Sequence, residues 1–451
     1  MMGKPSSALV LGIGESGAAA ARLLRSEGVA VTAVDGADTP ALREKAAVLT
    51  GEGIRVLTGA SVLPDGPFDL GVVSPGIPAS SPWVQTLARR GLPLLSELEL
   101  GWCRRTCRVA AITGSNGKST AIKWLAESLQ QAGLRAAPGG NYGAAICRVV
   151  REQPDLDWLV LEVSSFQLET VNTFRPEVGV LLNVLPNHLD RHGDMAAYTA
   201  LKARLFARAA PSDACIIPHA LRGPVRELSG GAGRWITFGT EPDSDYRWQA
   251  GSVLQNGAMC ADLKGTYFDN EILGPGAAAV VAAAVACGAD PDDVGRAARA
   301  FQPLPHRMQK VAEAGGVWFV NDSKATNLAA MTGALRMAGR PVRLIAGGLA
   351  KETDFSPARH VLAASARGVY LVGRAAEAMR RAWADAVPCV MCGTLERAVE
   401  RAAAEARPGE TVLLAPACTS FDQFRNYEER GVRFVEYARN AATLLQRREG
   451  A

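Results

Sequence analysis

The sequence predicts an α/β fold, built in three consecutive units on mostly parallel sheets. Three observations carry that reading. Short apolar, β-rich runs alternate with Ala-, Leu- and Arg-rich stretches along all 451 residues, the pattern of helices covering parallel strands. A Gly-rich turn twice follows a strand and opens a helix, first at Gly12 and again at Gly114. A chain this long also exceeds what one hydrophobic core usually spans. The units are expected at 1–106, 107–308 and 309–451.

In the first unit a strand over 8–11 leads into Gly12-Ile13-Gly14-Glu15-Ser16-Gly17 and a helix over 16–27. A strand over 30–34 follows, closed by Asp35, and another lies near 70–74. The turn is a full G-x-G-x-x-G. Its glycines allow a tight bend and close backbone approach, and the helix N-terminus favours phosphate. Taken alone it reads as a dinucleotide site with Asp35 on a ribose hydroxyl. A βαβ turn that binds nothing is the bland alternative. The motif supports a diphosphate-bearing ligand, of which NAD is only one.

The second unit restarts at a strand over 108–112. It runs into Thr113-Gly114-Ser115-Asn116-Gly117-Lys118-Ser119-Thr120. This is the G-K-[ST] end of a P-loop, with Ile112 where the first Gly of that motif usually stands. Backbone N–H groups would cradle phosphates, Lys118 would reach the terminal oxygens, and the Ser119 hydroxyl could hold Mg²⁺. Hydrolysis of ATP, or transfer from it, is expected. A strand over 158–163 places Glu162 at its end, where a carboxylate would complete a Mg²⁺ site with phosphate oxygens. A solvated strand end is the alternative. After a strand over 178–183 comes His188-Leu189-Asp190-Arg191-His192. No cysteine or HExxH spacing makes that a transition-metal site, so a role beside substrate or Mg²⁺ is expected. Lys202 lies in an amphipathic helix over 198–206, where a solvated face is the default. The run 277–287 is the longest purely apolar one, with 11 residues against the roughly 20 of a membrane span.

The third unit has strands over 317–321, 342–346, 368–372 and 411–414, with helices between. Arg307 and Lys324 flank its start, and cations at a domain junction suit a nucleotide's phosphates. Cys389-Val390-Met391-Cys392 is a lone C-x-x-C and reads as strand core, because no second pair or nearby His spacing exists.

Composition excludes several classes. Lys plus Arg total 49 and Asp plus Glu 45, a net charge of +4, which gives no case for nucleic acid or an acidic surface partner. The apolar fraction of 48% rules out a wholly disordered chain. Residues 1–4 lead almost at once into a strand-like run, so no secretory signal is expected. Nine scattered cysteines fit reduced thiols in a cytoplasm.

Taken together, these residues resemble the Mur ligase family over nearly the whole chain. Besides the two Gly-rich turns, the resemblance rests on Ser74-Pro75-Gly76-Ile77-Pro78, Gly139-Gly140-Asn141-Tyr142-Gly143, and the 162–169, 187–192 and 304–307 strings. It rests also on Asp322-Ser323-Lys324-Ala325-Thr326-Asn327, on Gly347-Gly348 with Lys351, and on the 416–424 string. Several of these strings are similar to those of the D-glutamate-adding member.

The resemblance implies a Rossmann-like first domain that binds the UDP of a sugar substrate, a central P-loop ATPase-type domain, and a Rossmann-like C-terminal domain that closes over ATP and the amino acid. It implies Gly14, Glu15, Ser16, Asp35 and Gly76 around uridine and diphosphate, with Asn141 and His188 facing the sugar-peptide portion. ATP would contact Gly114, Ser115, Asn116, Gly117, Lys118, Ser119, Thr120, Arg307, Asp322 and Lys324. Two Mg²⁺ ions would sit on Ser119, Glu162, His188 and a carbamylated Lys202. Thr326, Lys351, Ser420 and the backbone near Tyr427 would bind the glutamate carboxylates. Lys118, His188, Lys202 and Lys324 are the implied catalytic set. The implied substrates are UDP-N-acetylmuramoyl-L-alanine and D-glutamate, joined through an acyl phosphate by a cytoplasmic monomer with no nucleic-acid or membrane partner. Two departures stand out. An H-N-x-x-N element common in the family is replaced by Gly274-Pro275-Gly276-Ala277-Ala278-Ala279-Val280, and Asp35 is followed by Gly36-Ala37 with no Arg. An NAD(P)-dependent oxidoreductase would leave the P-loop, Glu162 and Lys324 without work. A non-catalytic ATP switch would leave Lys351 and Ser420 so.

Overall fold

A computed structural model describes residues 5–449, apart from the side chains of Asp190 and of 447–449. Residues 1–4, on which the reading of the leader rests, lie outside the described residues. The chain forms two compact units. One holds the residues up to Val184, Asp194–Asp269 and Leu273–Ala300; the other holds Leu185–Gly193, Asn270–Ile272 and the residues from Phe301 on.

The first unit carries two sheets. Strands β1 (Ser7–Leu11), β2 (Ala30–Val34), β3 (Arg55–Leu57), β4 (Leu70–Val73) and β5 (Leu94–Ser96) pair in parallel in the order β3-β2-β1-β4-β5. The second sheet has β6 (Arg108–Thr113), β7 (Ala136–Gly140), β8 (Trp158–Glu162), β9 (Val178–Leu181), β10 (Ala214–Pro218), β11 (Arg234–Gly239), β12 (Tyr246–Gln249), β13 (Ser252–Gln255) and β14 (Ala258–Asp262). Its order is β14-β13-β12-β11-β10-β9-β6-β8-β7. β12 still runs parallel to β11, and the antiparallel pairs among these strands are β12–β13 and β13–β14, two consecutive hairpins. In both sheets the strand order reverses beside the strand that feeds a Gly-rich turn, β1 in one and β6 in the other. Such switch points leave a crevice at the carboxyl ends of the strands. The long apolar run forms the helix Gly274–Cys287, closed by Gly288 in the left-handed region. Among the described residues no helix is long and apolar enough to cross a membrane.

The second unit has β15 (Gln309–Ala314), β16 (Val317–Asn321), β17 (Val342–Gly347), β18 (Ala366–Val372), β19 (Cys389–Gly393) and β20 (Thr411–Leu414), ordered β15-β16-β20-β17-β18-β19. All pairs but β15–β16 are parallel. The loops after β16, β20 and β17 therefore leave one edge side by side. The Cys389–Cys392 segment is a strand, as expected, but not core. It is the sheet's outer strand, with both cysteines half-buried, Met391 exposed, and the two thiols turned to the carbonyls of Val387 and Val390.

Candidate functional site

The turn after β1 is shaped by contacts within this sheet. Gly17 packs so closely on the Gly12 carbonyl that a Cβ there would collide with it. Ser74 donates to the same carbonyl at 3.2 Å. One Asp35 oxygen accepts the Ile13 N–H and the other the Ala37 N–H, both at 3.0 Å. Asp35 thus moulds the turn. Around Gly14 and Gly76 there is open space, so backbone is accessible where a diphosphate would lie. Glu15, in the first turn of the helix Glu15–Ser26, pairs with Lys45 at 2.6 Å.

The turn after β6 is held from the side by Asn183. Its Oδ1 accepts the Ser115 and Asn116 N–H groups at 3.0 and 2.9 Å, and its Nδ2 donates to the Asn116 carbonyl at 3.0 Å. Gly117 takes a left-handed conformation (φ 85°) at the head of the helix Lys118–Gln131, which suits glycine. Lys118 Nζ donates to the carbonyls of Gly114 and Ser115 at 2.9 and 3.0 Å, so the ammonium curls over the loop. Behind it lies Glu162, which is 3% exposed. One of its oxygens accepts Ser119 Oγ and the other Asn141 Nδ2, each at 2.7 Å. The solvated strand end is ruled out.

Lys202 departs furthest from its default reading. It is 1% exposed, on the helix Met195–Ala203, where a solvated face was the simplest expectation. Its Nζ lies 4.5 Å from the Tyr198 ring centroid, and the Tyr198 hydroxyl lies 3.3 Å from Ser115 Oγ. Burial, and then the charge of Lys118, holds the Lys202 amine well below its usual range. His188 belongs to the other compact unit, in a left-handed conformation (φ 56°, ψ 29°) ahead of the turn Leu189–His192. No cluster of three or more His, Cys, Asp or Glu that could hold a metal occurs among the described residues. The hydroxyl and carboxylate of Ser119 and Glu162 are nevertheless hard oxygen donors of the kind Mg²⁺ takes beside phosphates.

In the second unit three neighbouring loops gather the remaining residues. Burial pushes the Asp322 carboxyl up to about 7, with Arg307 and the Met308 N–H pulling it down. Lys324 Nζ lies 3.7 Å from the Tyr427 ring centroid. The Tyr427 carbonyl accepts Ser323 Oγ at 2.8 Å. The Ser420 carbonyl accepts the N–H groups of Gln423 and Phe424. Arg430 is buried and donates to Ser323 Oγ, the Ser323 carbonyl and the Cys418 carbonyl at 3.0, 2.8 and 3.1 Å. It thereby ties the loop of Lys324 to that of Ser420. Of the six non-glycine residues with positive φ among those described, four (His188, His306, Met308 and Ala417) adjoin these loops or the His188 turn. Such strain concentrates at functional sites.

Asn183 and Arg430 were not singled out from sequence, since each acts on a loop distant in the chain. At the start of the stretch that replaces the H-N-x-x-N element, Gly274 faces the Trp248 ring, and a Cβ there would run into it.

Two family models match: the Mur ligase middle domain over residues 112–289 and the Mur ligase, glutamate ligase domain over 306–418. A protein of Acidobacterium capsulatum named UDP-N-acetylmuramoylalanine–D-glutamate ligase is 39% identical over 447 residues, 96% of each chain. The chain belongs to the Mur ligase family. A second relative of the same name, from Koribacter versatilis, is 36% identical over 96% of this chain and 97% of its own. Solved Mur ligases share the fold. The UDP-N-acetylmuramate-alanine ligase MurC of Thermotoga maritima superposes with a TM-score of 0.61 at 16% identity, covering 97% of this chain and all of its own. MurF ligase from the same organism, in complex with ADP, gives 0.62 at 16% identity, covering 93% and 96%. The Mur ligase middle-domain match takes in the Lys118 loop, Asn141, Glu162 and Lys202. The glutamate ligase match takes in Arg307, Asp322, Lys324, Thr326 and Lys351.

Proposed function

We propose that this Mur ligase joins D-glutamate to UDP-N-acetylmuramoyl-L-alanine at the expense of ATP, in peptidoglycan precursor synthesis. The observation that carries the reading is the Lys118–Ser119–Glu162–Asn141 constellation at the β6 switch point, in a chain similar end to end to proteins of that name. Residues 1–106 would bind the UDP portion, 107–308 ATP, and 309–451 the amino acid. Gly14, Glu15, Ser16 and Gly76 line the diphosphate turn, Asp35 fixes its shape, and Asn141 and His188 serve the sugar-peptide portion. Lys118 and the 114–120 amides bind the ATP phosphates, with Arg307, Asp322 and Lys324 completing the nucleotide contacts. Thr326, Lys351, Ser420 and the Tyr427 backbone hold the glutamate carboxylates.

The terminal phosphoryl passes to the L-alanine carboxylate and gives an acyl phosphate. The glutamate amine attacks its carbonyl carbon, the C–N bond forms, and phosphate leaves as the C–O bond breaks. Lys118 stabilises the phosphoryl in flight. Ser119 and Glu162 would hold one Mg²⁺, and His188 with Lys202 a second; when bound, the ions offset charge on phosphates and carboxylate. For Lys202 this requires carbamylation, in which the neutral amine adds CO₂ and releases a proton. Its burial beside Lys118 favours that neutral amine. We place the enzyme in the cytoplasm, as a monomer acting on small molecules.

The test is amino-acid-dependent phosphate release with ATP and UDP-N-acetylmuramoyl-L-alanine. D-glutamate should support turnover, and L-glutamate, meso-diaminopimelate and L-lysine should not. Preference for any of those three overturns the substrate assignment.

A further inference from the structure

One acid among the loops of the second unit is not used in the chemistry above. Glu352 follows Lys351 in the loop after β17. Its Oε1 accepts the Leu328 N–H at 3.2 Å, at the head of the helix Leu328–Met337, which Asn327 caps through the Ala330 N–H at 2.8 Å. Its Oε2 is closed off from solvent and has no hydrogen-bond partner among the described residues. An unmatched buried acceptor is costly and invites a donor.

Three loops meet around this carboxylate. Leu349 and Thr419 exchange N–H···O bonds of 3.0 Å in each direction, tying the Lys351 loop to the Ser420 loop. The charge of Glu352 adds to burial in pushing the Cys418 thiol up to about 12. Thr326 is two residues from Leu328, and Ser420 two from Cys418. The carboxylate therefore lies amid the segments assigned to the substrate's two carboxylates. Burial holds it above the usual range, while the Leu328 N–H and Lys351 pull it down. A zwitterionic acidic amino acid presents two carboxylates and a single donor group, its ammonium.

We infer that Glu352 binds the ammonium of the incoming amino acid, while Lys351, Thr326 and Ser420 hold its carboxylates. The inference rests on the proposed function, which assigns those three residues. A charge-assisted N–H···O bond there selects an amine-bearing dicarboxylate over a plain one. It also fixes the nitrogen that must attack.

The test uses the full chain and Glu352→Gln, which keeps an oxygen for the Leu328 N–H and removes the charge. D-glutamate is varied in the phosphate-release assay, and glutarate, the dicarboxylate without an ammonium, serves as competitive inhibitor. The KM for D-glutamate should rise roughly ten- to a hundredfold, with the KM values for ATP and the UDP substrate within about twofold of wild type. Glutarate should inhibit variant and wild type alike. Equal weakening of glutarate and glutamate would mean that Glu352 only shapes the loop, and would overturn the inference. An unchanged KM for D-glutamate would overturn it too. If the glutamine variant does not fold, Glu352→Ala is read by the same comparison. A wild-type enzyme without D-glutamate-dependent release would instead sink the proposed function itself.

Discussion

Lys202 lies on a helix with its side chain turned inward, over the Tyr198 ring and within the field of Lys118. An ammonium there is disfavoured, whereas a carbamate would be an anion suited to a hard cation. Lys202→Ala should therefore nearly abolish phosphate release, and added acetate should restore part of it by filling the vacated position. A variant close to wild type would refute this role. Helical periodicity alone does not reveal that burial, because a lysine next to apolar neighbours equally suits a solvated face. Glu162 was legible, since a carboxylate at the end of an apolar run beside a P-loop has few other uses. Glu97 offers a pH test that is independent of catalysis. It is fully buried, its Oε1 accepts the Cys147 N–H at 2.8 Å and its Oε2 has no partner among the described residues. Burial raises its carboxyl from 4.5 to about 7, so the folded chain binds that proton more tightly than the unfolded chain. Relative to a neutral isostere, wild type is at its best below about 4.5, loses stability as pH rises toward 7, and changes no further above that. Glu97→Gln should gain on wild type by up to about 3 kcal/mol between pH 4.5 and pH 8, read from urea midpoints. Parallel pH curves would refute the assignment.

The elements show why some roles are legible in sequence and others are not. The strand, glycines and lysine of the β6 turn are contiguous, so one short string carries them. The clamp is not contiguous. Asn183 lies just after β9 and reaches back to Ser115 and Asn116 through three hydrogen bonds. Asn183→Ala should loosen the amides that face the phosphates, and the KM for ATP should rise roughly tenfold while circular dichroism stays unchanged. An unaltered KM would show that the loop holds its form without the clamp. The start of the helix Gly274–Cys287 is a second case. Its sequence shows only that the family's asparagines are absent, whereas the structure shows Gly274 packed against the Trp248 ring. Gly274→Ala should destabilise by about 1–3 kcal/mol through overpacking, as a lower urea midpoint with the same slope. A midpoint within error of wild type would show that the ring moves aside at little cost.

At the scale of the whole molecule, three sheets were legible because each restarts with its own strand after a helical stretch. The shared core of the first two sheets was not. One hydrophobic cluster runs from Ala8 and Val10 through Leu98, Leu100 and Ile146 to Leu159 and Ile217. The helix Glu97–Arg104 buries Leu98, Leu100 and Trp102 in that cluster. The sequence analysis assigns that segment no role, because its burial comes from partners distant in the chain. The third sheet differs in its self-sufficiency. All six of its strands lie between Gln309 and Leu414, and the two clusters that cover its faces draw only on residues from Met308 to Leu445. Both faces of the sheet are thus supplied by one continuous stretch of chain, which is what an autonomous domain requires. Residues 301–449 expressed alone should fold, with native-like circular dichroism and a single cooperative urea transition. The Arg430 ties between the Ser323 and Cys418 segments lie wholly within the fragment, so Arg430→Ala should lower its urea midpoint. A fragment that unfolds without cooperativity would show that this sheet depends on chain outside 301–449, such as the Leu185–Gly193 turn that carries His188.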